Sequence, residues 1–286
     1  MAACVIFHCM SDWHRLFPDE DFRFRMGLRP GDATAFFAPS AGGDSLLKHR
    51  SAALAAHPHR HVAALDGALP MIEEAADQMA GWSGTTRTCA TSDPLAVCIE
   101  AGRTIEPDWV LLSPDVSMNH PVVAGVVCFP SSWSLPEKTG LPIGDVHQPA
   151  PTVNASLGRS IDSFLNRLNP GEAWQRENWG LSADDALDHH PDITVLPLTG
   201  QATLATTWLR LESQLLTRLP KTLAILFGIR VTTHRLDTLA AIPGLASRIA
   251  RALRTMPADI ASYKGLERCR NALGEALARH EKVRLR

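Results

Sequence analysis

The sequence predicts an α+β fold built on an antiparallel sheet, and three observations predict it. The run VVAGVVCF (122–129) is almost wholly apolar and is bracketed by Pro121 and Pro130. Its valines and flanking prolines disfavour helix and suit a strand buried on both faces. Residues 203–233 read as a hairpin. In WLRLESQLLTRLPKTLAILFGIRVTT, Leu209, Leu211 and Leu215 alternate with Arg210, Glu212 and Gln214, RLPK turns the chain, and TLAILFGIRVTT returns as an apolar, β-branched strand. Helical spacing occurs on either side, giving the order helix, strands, helix, hairpin, helices, which is an α+β pattern.

Taken in order, residues 1–50 are mixed. DEDFRFRMGLRP alternates Phe22, Phe24 and Met26 with charges and reads as a short strand or extended arm ending at Gly27. Residues 51–80 read as helical, with Leu69, Ile72, Ala76 and Met79 on one face. DWVLLSPD (108–115) is a short strand that Pro114 ends. In SLGRSIDSFLNRLNPG, Ile161, Phe164, Leu165 and Leu168 follow the i, i+3, i+4, i+7 spacing of a helix that Pro170-Gly171 stops. For 208–219 a helix is the alternative, since Leu, Glu and Gln favour it. GLASRIARALRTM and GLERCRNALGEALARH are helical, with Leu245, Ile249 and Leu253, then Leu266, Leu273 and Leu277, as their apolar faces. The expected organisation is one domain over 1–286, with an N-terminal arm and a helical C-terminal extension over 235–286.

With 45% hydrophobic and 20% charged residues, the chain has the composition of a globular protein. A net charge of −2 gives no reason to expect nucleic acid or an anionic membrane as partner. Cys4, Cys9, Cys89, Cys98, Cys128 and Cys269 form no CxxC pair, so zinc-ribbon and cluster spacings are absent and reduced thiols in a cytoplasm are expected. The N-terminal MAACVIFHCMSDWHRLF lacks a basic leader, and no run approaches a membrane span. Neither GxGxxG nor GxxxxGK[ST] occurs, so electrons for any redox chemistry would come from another protein. The lack of CxxCH means that any heme would be non-covalent.

Among candidate chemical groups, His147 in VHQPAP sits on a backbone stiffened by prolines, which suits a metal or heme ligand; a loop histidine capping a carbonyl is the other reading. Ser131 or Ser132 with Asp145 and His147 supplies the residue types of a hydrolase triad. No GxSxG surrounds the serines, and Asp145 lies too close to His147 in sequence for the usual geometry. His57, His59 and His61 would share a face in a strand, but their surroundings suggest a solvated cluster, and His189-His190 reads as a surface loop. Cys128 reads as a buried structural cysteine, with a thiolate heme ligand as the alternative. Arg210, Glu212 and Gln214 share one strand face, which is solvated by default or else lines a polar cavity.

Several blocks together carry a resemblance: PDWVLLSPD, GVVCFPSSWSLPEKTGLPIGDVHQPAP, RENW, LRLESQLLTRLPKTLAILFGIR and LRTMPADIASYKGL. In their order and spacing the chain resembles the family of heme-dependent oxidative N-demethylase α subunits. That resemblance implies a PAS-like antiparallel sheet with flanking helices that binds heme b. It implies an oxygen-dependent reaction on a small amine, either N-demethylation with release of formaldehyde or a related N-oxidation, with O2 as co-substrate. A partner reductase carrying flavin or iron–sulfur would supply the electrons.

By position, the resemblance makes His147 the axial ligand of the heme iron. Lys138 and Arg176 become partners of its propionates, and Arg210 joins the cofactor-binding set. Arg210, Glu212, Gln214 and Arg218 match an R-x-E-x-Q-x-x-x-R pattern that moves them from a solvated face to a pocket lining or structural network. Glu212 becomes a catalytic candidate that would bind an ammonium group. Where the family pattern has Thr-Tyr after FGIR, this chain has VTTH, which makes His234 a second catalytic candidate; the only tyrosine is Tyr263. The substrate is therefore expected to differ from dimethylamine. The family's Pro-Val-Pro element has Ala150 in place of its valine. A non-catalytic heme-binding sensor is the alternative reading.

Overall fold

The computed structural model describes residues 12–88, 91–146 and 151–284. Its strands are β1 (Arg29–Pro30), β2 (Val62–Ala64), β3 (Asp108–Leu112), β4 (Val122–Val126), β5 (Ala173–Ser182), β6 (Trp208–Arg218) and β7 (Ile225–Arg235). They form one sheet in the order β1-β5-β6-β7-β3-β4-β2, with every neighbouring pair antiparallel. The helices before β4 are α1 (Trp13–Leu16), α2 (Ala33–Phe37), α3 (Gly43–Ala56), α4 (Pro58–His61), α5 (Leu69–Ser83) and α6 (Pro94–Thr104). After it come α7 (Leu135–Lys138), α8 (Ile143–Val146), α9 (Pro151–Arg167), α10 (Leu236–Ala240), α11 (Leu245–Thr255), α12 (Ala258–Tyr263) and α13 (Arg270–Arg284). The fold is thus α+β, an antiparallel sheet with flanking helices, and is compatible with a PAS-like sheet.

The hairpin stands where the alternation placed it. β6 and β7 pair from Trp208↔Arg235 to Arg218↔Ile225. The helical alternative for 208–219 fails because both faces of β6 are buried against other layers. Glu74 of α5 closes the turn: its carboxylate accepts the amides of Lys221 and Thr222, both at 2.7 Å.

One expectation needs correction, and two elements stand where the pattern announces none. Residues 51–80 are not one helical stretch, because Pro58 interrupts the helix and Val62–Ala64 pairs with β4 as an edge strand. AWQRENWGLS forms a ten-residue strand that the pattern does not announce, since polar and aromatic residues fall on both of its faces. Helix α6, capped by Asp93 with Pro94 in its first turn, also went unread.

Residues paired across an antiparallel ladder project to the same side. One side of the central strands carries Trp174, Arg176 and Asn178 of β5 with Leu216, Gln214 and Glu212 of β6. Its apolar end, Trp174, Leu216 and Phe227, is covered by Leu165 and Phe164 of α9 and Leu135 of α7. The other side carries Trp179, Leu209 and Leu211, which pack on α10–α13 through Leu236, Ile249, Leu253 and Leu273.

The N-terminal segment is the expected extended arm, paired as a strand only at Arg29–Pro30. Arg15 and Arg29 both grip Glu177, at 2.8 and 2.5 Å, and Arg251 of α11 holds Asp19 and Asp21.

Candidate functional site

The polar face of β6 is buried, not solvated. Arg210, Glu212 and Gln214 are 5%, 9% and 8% exposed. Buried polar groups require partners, and here they find one another. Glu212 Oε1 accepts the hydroxyl of Ser131 at 2.5 Å, and its Oε2 accepts Gln214 Nε2 at 2.8 Å and Asn178 Nδ2 at 3.3 Å. A carboxylate held by several donors is fixed in place while keeping acceptor capacity for a further cationic donor.

Arg210 plays a different part. Its Nε donates to Ser131 Oγ at 2.8 Å, and its terminal nitrogens donate to the carbonyls of Phe129, Pro130, Ala186 and Leu187. The guanidinium therefore ties the loop after β4 and the loop after β5 to the sheet, and places Ser131 on Glu212. Burial pulls its pKa down, against the raising influence of Glu212 and Asp108.

Asp108 supports the same loop from below. It accepts the amides of Cys128 and Phe129 at 2.8 and 2.9 Å and pairs with Arg50 at 2.5 Å; the paired side chains are 1% and 0% exposed.

Arg176 lies diagonally from Glu212 across the β5–β6 ladder. Its Nε is buried with no hydrogen-bond partner, and among the described residues the guanidinium makes no ion pair. Burial lowers its pKa, with Glu212 and Glu177 opposing. A desolvated cation with an unused donor calls for an anion, so this residue fits a heme carboxylate. Lys138, at the end of α7, likewise has no ion-pair partner among the described residues.

His147 lies outside the described residues, between the end of α8 at Val146 and the start of α9 at Pro151. His234 does not join Glu212. It pairs with Leu209 on β6, so it projects from the opposite side of the sheet. There its ring meets Trp13 edge-on at 4.9 Å and its Nε2 lies 3.0 Å from Thr232 Oγ1; burial lowers its pKa.

Ser131 spends its hydroxyl on Glu212. Cys128 is a buried structural thiol, pushed up to about 12 by burial. His57 and His59 are exposed, as expected of a solvated cluster, but His61 is 1% exposed with Nδ1 on the Val127 carbonyl at 3.0 Å. His189 and His190 are also buried, at 6% and 4%: the His189 backbone pins the loop after β5 to Pro130 and Ser132, and the His190 ring lies against His61 at 6.1 Å. Among the described residues no His, Cys, Asp and Glu group is placed to hold a metal ion.

The sequence reading missed Asn178, Gln214 as a direct Glu212 donor, and Lys264. Lys264 Nζ reaches the Trp179 carbonyl at 2.6 Å and Asn178 Oδ1 at 3.2 Å. Asn178 lay within reach of the strand period once β5 was recognised, whereas Lys264, within the block LRTMPADIASYKGL, sits in a turn whose sequence does not reveal its reach to β5.

Residues 78–274 match the family model described as haem-dependent oxidative N-demethylase, alpha subunit-like. The match takes in the polar face from Asp108 of β3 to Lys264 and leaves out α1–α4, β1 and β2.

Proposed function

The chain belongs to the haem-dependent oxidative N-demethylase, alpha subunit-like family, and from that membership we propose that it is the heme b-binding subunit of an oxygen-dependent enzyme acting on a small amine. The reaction is removal of an N-methyl group or a related oxidation at nitrogen. Bound heme b supplies the oxygen-activating redox chemistry. The single observation that carries the amine reading is Glu212, an acid buried in the sheet face and oriented by three donors.

Glu212 receives the ammonium hydrogen of the substrate, because a buried carboxylate favours a cationic donor far more strongly than a solvated one. Ser131, Gln214 and Asn178 hold its oxygens, so little reorganisation accompanies binding. Arg176 and Lys138 take the propionates, and the unpartnered Nε of Arg176 supports that role. His147, in the sequence between α8 and α9, would hold the heme iron in this reading. His234 is left with a packing role on Trp13, and Arg210 acts by fixing loops rather than by touching the cofactor. With no nucleotide-binding fingerprint and no cysteine cluster in the sequence, electrons come from a partner reductase.

The test is a spectrum and an assay. Protein expressed with heme supply should show a Soret band that moves or collapses in His147→Ala, and should release formaldehyde or an N-oxidised product from a small amine when a reductase and O2 are present. Protein that stays colourless under heme supply overturns the reading. A Soret band without amine-dependent turnover favours the sensor alternative.

A further inference from the structure

Lys264 lies outside the roles assigned so far. It rises from the turn between α12 and α13, where Lys264, Gly265 and Leu266 donate their amides to Ile260, Ser262 and Ala261 at 3.0, 2.9 and 2.8 Å. Gly265 takes φ +67, a conformation that suits glycine. Ile260 and Leu266, at 3% and 0% exposure, bury this turn in the C-terminal core. The root of the lysine is therefore rigid.

From that root Nζ crosses to β5, lying 5.4 Å from the centre of the Trp179 ring. β1 pairs with β5 only at Trp174 and Gln175, and farther along the strand Lys264 gives the Trp179 carbonyl its donor. The second contact has consequences for the site. An ammonium group has hydrogens to donate and no lone pair to offer. Facing it, Asn178 must present its oxygen, which turns its Nδ2 toward Glu212. Without the ammonium, the amide is free to rotate by half a turn and set its oxygen against the carboxylate. Desolvation draws Lys264 down to about 8, with Glu212 opposing and Arg176 reinforcing, so the cation persists at neutral pH.

We propose that Lys264 is a positioning residue for the candidate site: it locks the Asn178 amide and, through it, holds the Glu212 carboxylate in the orientation that receives the amine. The proposal rests on the amine-binding reading of Glu212. It also makes the C-terminal helices part of the site, since the lock is delivered across a sequence separation of 86 residues.

The experiment has two arms. In the first, methylammonium, dimethylammonium and trimethylammonium are titrated calorimetrically into heme-loaded wild type, and the tightest binder of the three is carried through Lys264→Met, Lys264→Arg, Asn178→Leu and the Lys264→Met/Asn178→Leu double variant. Affinity should fall about tenfold in Lys264→Met and in Asn178→Leu. It should fall no further in the double variant, and Lys264→Arg should recover most of it. The Soret band should stay unchanged throughout. Wild-type affinity in Lys264→Met, or losses that multiply in the double variant, overturns the lock.

The second arm needs no amine. Urea midpoints of Lys264→Met, Glu212→Gln and their combination should fail to add, and should add once Asn178→Leu is present. Additivity in the Asn178 background overturns the proposal even if wild type binds no amine, an outcome that by itself counts only against the reading of Glu212.

Discussion

Glu212 concentrates the functional argument at a single side chain. Glu212→Gln keeps the shape of the site and removes its charge. We expect heme content to be unchanged and amine affinity to drop by about ten- to a hundredfold, the worth of a charge-assisted hydrogen bond; calorimetry on the heme-loaded protein checks this. Asp108 is a structural counterpart. Removing it strands the buried guanidinium of Arg50 and frees the amides of Cys128 and Phe129, so Asp108→Ala should cost about 3–5 kcal/mol in urea denaturation. Lys264 gives a pH signature. Its folded-state pKa, about 8, lies below the ordinary 10.5. Between these values the unfolded chain holds a proton that the folded chain has released, so stability rises with pH across the window. The melting temperature of wild type relative to Lys264→Met should therefore climb from pH 7.5 to 9.5; a constant difference would contradict it.

Among elements, the β6–β7 hairpin depends on a helix that is remote in sequence. Burial raises the pKa of Glu74, but its bonds from Thr222 and Lys221 outweigh that and hold it below the usual 4.5. The stabilisation is complete above the ordinary carboxyl range and is lost as pH falls through the depressed folded-state value. Melting curves of wild type and Glu74→Gln taken from pH 6 to pH 3 should converge as the pH drops. The elements also show what the sequence displayed. β4, β6, β7, α9, α11 and α13 were legible because their apolar periodicity reports a buried face. β5 was not, because its Arg, Glu and Asn are half-buried among other parts of the chain, and periodicity counts only apolar burial. Glu212 and Arg210 stood out as a polar stripe, yet whether that stripe met water or protein depended on Ser131 and the loop at 183–190. The edge strand β2 is three residues long, too short for its period to register.

At the level of the molecule, the sheet is a partition. One side holds the polar cluster and α9; the other is sealed by α10–α13 and the N-terminal arm toward one end and by α2, α3, α5 and α6 toward the other. None of the described helices is long and apolar enough to cross a membrane. The arm is fastened by Glu177, whose side chain is 9% exposed and takes two arginines at once. Glu177→Ala leaves both arginines without that partner, and limited trypsin digestion should then cut at Arg23 or Arg25 in conditions where wild type resists.

These fastenings join distant parts of the chain: Arg15 meets Glu177 across 162 positions, and Phe22 meets Thr255 across 233. Such non-local closures exact their entropy before any contact repays it, so folding is expected to be slow. A slowly closing shell admits a bulky planar prosthetic group most easily before the last helices dock. Hemin offered during refolding should thus be incorporated more completely than hemin added to the finished apoprotein.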